Sequence, residues 1–306
     1  MQRELLMSRW VFALLLAGML LLPLPGAVAQ AKKPVIGITL LTRDKFYTDL
    51  ETGFKTEAAA RGYELRVVSG EKDPNKQADQ VDDFLTQKVD AIVICPCDTK
   101  SIVPSVEKAN AAGIPVFTAD IAAGGGKVVC HVASDNLAGG QKAGEAMVEA
   151  LGGKGKIIIL SHPNVTSVRD RVKGFKQVVA RHPEMEILQE VPSEGDREKS
   201  QRAMEDMLQK DQQIDGVFGI NDSCAIGALL SVRAAGKVGQ IKIVGYDGIP
   251  EARELIKKNE IYDSTIQFPD KIGKATIGAI ADYFAGKEVP ASIAVECGRV
   301  RSEMPR

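Results

Sequence analysis

Val35-Ile36-Gly37-Ile38-Thr39-Leu40-Leu41-Thr42-Arg43-Asp44-Lys45-Phe46-Tyr47 is the stretch on which the reading of this chain turns. Its first half is apolar and partly β-branched, as a buried strand requires, and its second half is polar and aromatic. A strand whose end carries Asp44, Phe46 and Tyr47 is suited to hold a small molecule, because carboxylates accept hydrogen bonds and aromatic faces cover apolar ring surfaces.

Upstream lies a three-part pattern: basic Arg3 and Arg9, an apolar run from Trp10 to Leu22, and the small residues Ala27-Val28-Ala29. That pattern reads as an export signal over residues 1–29, removed after Ala29, with Pro23, Pro25 and Gly26 breaking the apolar run before it could span a bilayer. The mature protein is expected to leave the cytoplasm. About 275 residues follow, enough for two sizeable cores.

Downstream, short apolar runs alternate with helix-periodic stretches, the signature of βαβ units and parallel sheets. Strands are expected over 35–41, 64–69, 91–95, 115–119 and 128–133, then 156–161, 186–191, 216–220 and 241–246. Helices are expected over 46–61, 76–87, 101–112, 137–151, 168–180, 199–210, 225–235 and 251–258, with Gly62, Gly113, Gly152 and Gly236 placed at helix ends. The first half also recurs in the second at an offset of about 122 to 125 residues. Val35-Ile36-Gly37-Ile38 answers to Ile157-Ile158-Ile159-Leu160, and Ala111-Ala112-Gly113 to Ala234-Ala235-Gly236. The expected fold is α/β: two similar doubly wound parallel-sheet lobes with a ligand cleft between them, since ligands in open α/β sheets sit outside the carboxyl ends of the strands.

The strand ends collect Asp44, Phe46, Tyr47, Asp120, Arg171, Asn221, Asp222, Asp247 and Gln267. Hydroxyl acceptors, a guanidinium donor and aromatic faces together fit a neutral polyhydroxylated ligand. Each also has a local reading: Asn221 and Asp222 as helix caps, Asp44 as a turn residue, Phe46 as core.

Several functions lack support. The net charge of −1 favours neither nucleic acid nor an anionic membrane surface. No G-x-G-x-x-G follows the first strand, and neither a phosphate-binding G-x-x-x-x-G-K-[ST] nor a G-x-S-x-G elbow is present, so an enzyme is not expected. The histidines His131, His162 and His182 lack metal-ligand spacing, and no cofactor or metal is expected. Cys95, Cys97, Cys130, Cys224 and Cys297 read mainly as buried thiols, with one disulfide left open.

The ordered series Gly53-Phe54, Gly62-Tyr63, Ala112-Gly113-Ile114-Pro115-Val116, Ala133-Ser134-Asp135-Asn136, Arg169-Asp170-Arg171, Asn221-Asp222, Val244-Gly245-Tyr246-Asp247-Gly248 and Gln267 with Pro269-Asp270 resembles the periplasmic sugar-binding proteins of the ribose-binding type, the periplasmic binding protein type I fold. The resemblance covers the whole mature chain. It implies a substrate-binding component of a bacterial ABC transporter, a monomer whose partners are a sugar or polyol and the transporter's membrane subunits. A sugar sensor presenting its closed form to a chemoreceptor or sensor kinase is the alternative. It implies three crossovers near Ser134, Gln267 and Glu296, hence one lobe from residues 30–134 plus 268–296 and another from 135–267 plus 297–306. It also implies ligand contacts at Asp44, Phe46, Tyr47, Asp120, Arg171, Asn221, Asp247 and Gln267, with Phe46 and Tyr47 stacking on the ring. The chain departs from the pattern at Ile121 (arginine in ribose binders), Gly195 (an aromatic) and Asp44 (an asparagine), which leaves the particular sugar open, with His162 and Asn164 as substitute contacts.

Overall fold

The computed structural model describes residues 33–210 and 213–301, so the expected export signal lies outside the described residues. β1 (Val35–Leu40) is buried at all six positions, as a parallel strand covered on both faces must be. The chain then turns at Asp44, whose carboxylate accepts the Tyr47 N–H and caps α1 (Lys45–Arg61). Gly62, at φ 72°, ends that helix in the left-handed conformation that a side chain disfavours.

The first lobe continues through β2 (Glu64–Ser69), α2 (Pro74–Thr86), β3 (Ala91–Ile94), α3 (Val103–Ala111), β4 (Val116–Ala119) and β5 (Cys130–Ser134). The second opens with α4 (Asn136–Leu151) and runs through β6 (Lys154–Ser161), α5 (Thr166–Val179), β7 (Glu184–Pro192), α6 (Arg197–Gln209), β8 (Gly216–Gly219), α7 (Asp222–Ala234), β9 (Lys242–Asp247), α8 (Pro250–Lys257) and β10 (Asp263–Ile266). α9 (Pro269–Phe284), β11 (Ser292–Val295) and β12 (Gly298–Arg301) complete the chain. The expected strands and helices all form, with ends displaced by a few residues.

The sheets have orders β11-β5-β4-β3-β1-β2 and β12-β10-β9-β8-β6-β7, which match position by position. The internal repeat is therefore an architectural one. Pairing is parallel except at the edge, where β12 runs antiparallel to β10. The chain passes from one sheet to the other three times, between β5 and α4, β10 and α9, and β11 and β12. Each crossing leaves from a strand's carboxyl end. At the last, only Glu296 and Cys297 intervene, so β12 enters the second sheet at that same end and has to run backwards.

α9, β10, β11 and β12 lie outside the elements expected from apolar patterning. β10 reads Asp263-Ser264-Thr265-Ile266, yet its three polar residues are fully buried. Ser264 donates to Asp222 and Asp263 accepts from Arg299, so tertiary partners replace apolar character. α9 did carry a legible signal, Pro269 at its first turn and buried Ile272, Ile277 and Ile280 along one face.

The lobes hold separate apolar clusters, the second packed around Phe175 and Phe218, stacked 4.4 Å apart. The described cysteines are free thiols, all buried except half-buried Cys97. Helix α4 crosses α5 so closely that a Cβ on Gly140 would strike the backbone carbonyl of Arg171. Gly140→Ala is accordingly expected to cost about 1–3 kcal/mol in urea unfolding and to shift Arg171. A loss below about 0.5 kcal/mol would show that the helices can separate freely.

Candidate functional site

A cavity of about 450 Å³ lies where the carboxyl ends of the strands in both lobes converge, and all eight expected contact residues line it. Asp44 and Phe46 come from the start of α1, Tyr47 from its first turn, and Asp120 from the residue after β4. Arg171 projects from α5, Asn221 caps α7, Asp247 ends β9, and Gln267 follows β10. His162 and Asn164 line the same space, as does Gly195. A wider groove of about 1030 Å³ adjoins it and shares Phe46, Asp247 and Gln267, but Asp120, Arg171 and Asn221 belong only to the smaller cavity.

Asp120 and Asp247 occupy equivalent strand ends in the two sheets, and both have positive φ, 66° and 114°. Non-glycine residues adopt such conformations at a cost and persist there when the surroundings hold them, commonly at functional sites. Asp120 is 6% exposed and accepts a 2.6 Å hydrogen bond from the Tyr47 hydroxyl. Tyr47 is itself buried, its ring edge-on to the half-buried Phe46 ring at 5.2 Å. Tyr47 thus orients the Asp120 carboxylate, and Phe46 has the more open aromatic ring.

Arg171 is the charged centre of the second lobe and is 5% exposed. Its Nε donates to Asn136 Oδ1 at 2.8 Å, its terminal nitrogen donates to the Ile220 carbonyl at 2.9 Å, and its guanidinium lies 4.0 Å over the Tyr246 ring. That nitrogen also sits 3.7 Å from Asp247. Asp247 accepts from Gln267 at 2.7 Å, and Gln267 accepts from Ser134 at 2.6 Å. A single bonded chain therefore joins two of the crossovers to the site. The Thr99 and Thr166 hydroxyls, one from each lobe, are 3.0 Å apart.

Asn221 accepts the Cys224 N–H and donates to the Gly195 carbonyl, so the local capping reading is correct and the residue still lines the cavity. Asp222 is fully buried, accepting from Ser264 and the Ile249 N–H, and fixes the turn after β9. Gly195 adopts φ 68°, and its missing side chain leaves the space beside Asn221 and His162 open. Asn136 and Tyr246 hold Arg171, a role that only folding reveals because they lie 35 and 75 residues from it in sequence.

Burial pushes Asp247 up to about 7, although Arg171 and Gln267 oppose it. Burial also raises Asp120 against the pull of Tyr47 and Arg171. Burial works against the Arg171 charge, but Tyr246, Asp247 and Asp120 hold its proton more firmly than usual. His162 is lowered by burial.

The Asp247 carboxyl binds its proton more tightly when folded, about 7 against an ordinary 3.8, so its contribution is fully present below 3.8 and is lost as pH rises through 7. Buried His131, lowered to about 4, acts in the opposite sense between 4 and 6.5. The difference between wild type and Asp247→Asn isolates the first effect. Wild-type stability relative to that variant is expected to fall from pH 5 to pH 8 in denaturant titrations; a flat difference would mean that Asp247 is ionised throughout.

Among the described residues no group of three or more His, Cys, Asp and Glu side chains is placed to hold a metal ion. The site combines hydrogen-bonding side chains with aliphatic ones and holds neither a paired nucleophile and base nor a metal cluster among the described residues, an arrangement that binds.

Residues 36–288 match the periplasmic binding protein domain. The chain is 34% identical over 271 residues to the ribose import binding protein of Bacillus subtilis, covering 88% of each. It is 33% identical over 234 residues to the xylitol-binding protein of Mycolicibacterium smegmatis, covering 76% of this chain and 67% of that protein. The solved ABC transporter solute-binding protein of Agrobacterium vitis, bound with α-D-tagatopyranose, superposes with a TM-score of 0.83 at 29% identity, covering 88% of this chain and 95% of that one. These relatives are substrate-binding proteins and not enzymes. The family match runs through both lobes and the first two crossings between them, and this chain belongs to the periplasmic binding protein family.

Proposed function

We propose that this protein captures a monosaccharide or related polyol between its lobes, closes on it by bending at the three crossovers, and delivers it to the membrane subunits of an ABC importer. In this reading residues 1–29 direct export to the periplasm, and the lobes comprise 30–134 plus 268–296 and 135–267 plus 297–306. Asp44, Asp120 and Asp247 accept hydrogen bonds from the ligand's hydroxyls, Asn221 and Gln267 accept or donate through their amides, Arg171 donates to oxygens, and Phe46, braced by Tyr47, covers a ring face.

The observation that carries the reading is the gathering of Asp120 and Asp247, carboxylates at equivalent strand ends of the two lobes, with buried Arg171 around one cavity of a size that suits a small ligand. Ligand held by both lobes favours the closed state in proportion to the ligand contacts that exist only when closed. The relatives that bind ribose and xylitol point to the same ligand class.

A thermal-shift screen against pentoses, hexoses, deoxy sugars, polyols and inositols tests this. A ligand at 1,000 times its Kd adds about 4 kcal/mol and raises the midpoint by several degrees. A shift confined to one small group of sugars is expected; no shift in folded, ligand-free protein would overturn the proposal.

A further inference from the structure

Resting on the sugar-binding reading above, we propose that the cavity selects a ligand with a carbon that bears no hydroxyl, a deoxy position or a methyl group, and that Ile121 sets this preference. The polar contacts form only part of the cavity surface. Leu41, Ile121, Val165, Val168, Ile220 and Ile249 also line it, among further polar residues that include His162, Asn164, Ser167 and Ser223. The six aliphatic residues come from loops and helix starts, and all belong to or pack against one apolar cluster. Ile121, Val165, Val168 and Ile220 belong to the second lobe's apolar cluster, and Leu41 and Ile249 pack against it. Ile121 is 5% exposed and follows β4 of the first lobe, so its side chain reaches across the cleft to the opposite core.

Around Ile121, Ile220 and Ile249 the backbone offers the ligand little, whereas Val168 lies in the first turn of α5, which no side chain caps. The Ile121 N–H is given to Ala119, that of Val165 to His162, that of Ile220 to Leu160 and that of Ile249 to Asp222, while the Ile220 carbonyl accepts from Arg171. A sugar hydroxyl turned toward the Ile121 side chain gives up water and finds no replacement there, a loss of about 5- to 150-fold in affinity. A C–H or methyl group at that position leaves nothing unbonded and gains contact with the aliphatic side chains. The charged and amide groups of Asp120, Arg171, Asn221, Asp247 and Gln267 line the same cavity and orient the ligand against this patch.

Matched pairs that differ by one oxygen test the inference by isothermal titration of the purified protein: D-fucose against D-galactose, L-rhamnose against L-mannose, 6-deoxy-D-glucose against D-glucose, and 2-deoxy-D-ribose against D-ribose. For the pair of best-fitting configuration the deoxy member is expected to bind at least tenfold more tightly. Ile121→Gln, which places a donor and an acceptor in the wall, is expected to shrink that ratio at least fivefold, whereas Ile121→Val keeps it. If sugars bind and the fully hydroxylated member is equal or better in every pair, this inference fails while the sugar-binding reading stands. If Ile121→Gln leaves the ratio unchanged, the assignment to Ile121 fails. If no sugar or polyol binds, both fail together.

Discussion

Arg171→Ala is expected to lower stability by about 3–5 kcal/mol and to abolish measurable ligand binding. The guanidinium is buried, and each of its partners is buried or nearly so: Asn136, the Ile220 carbonyl, the Tyr246 face and Asp247. Removing one partner of a buried ion pair leaves the other charge unpaired, and the desolvation already incurred is no longer offset. Arg171→Lys retains the charge but cannot make two bonds in one plane while lying flat on Tyr246, so it should lose about 1–3 kcal/mol and most of the affinity. The double variant Arg171→Met with Asp247→Asn separates the two roles. It is expected to recover much of the lost stability, because no unpaired carboxylate remains, and none of the binding. Guanidinium unfolding and calorimetric titration read the two quantities. If the double variant were no more stable than Arg171→Ala, the coupling between Arg171 and Asp247 would be too weak to organise the site.

Asp120→Asn should separate stability from binding in the opposite direction. The amide oxygen can still accept from Tyr47, and asparagine tolerates the positive φ that this position requires. The substitution also removes a buried charge whose pKa burial has raised, so above neutral pH the folded state should be unchanged or more stable. A ligand hydroxyl, however, loses a charged acceptor, a hydrogen bond of about 1.5–3 kcal/mol, which predicts affinity lower by about 10- to 150-fold. The combination of retained stability and lost affinity is what a strained, functional carboxylate produces. An affinity within twofold of wild type would remove Asp120 from the ligand's contacts.

Among the features legible in the amino acids were the two lobes, the strand ends and the eight residues gathered around the cavity. Alternation of apolar runs and helical periods marks βαβ units because a parallel strand is buried on both faces, as β1 is throughout. The repeat was visible because equivalent strands, β1 and β6 or β3 and β8, fill equivalent places in the two sheets and face similar packing demands. The departure at Ile121 was equally legible as a missing donor.

Folding decided what those residues touch. β10 is polar in composition and became a central strand only because Asp222, Arg299 and the Gly139 carbonyl bond its side chains. Tyr47, read as a stacking ring, has its hydroxyl on Asp120, 73 residues away. Ile121, read as a lost hydrogen bond, gained a place in the opposite lobe's core. Local patterning records which faces avoid water, since that depends on each residue's own chemistry and its near neighbours. Which donor meets which acceptor depends on how distant segments are brought together, and for Arg171 those segments are α4, β8 and β9, joined only when the second lobe closes around its own core.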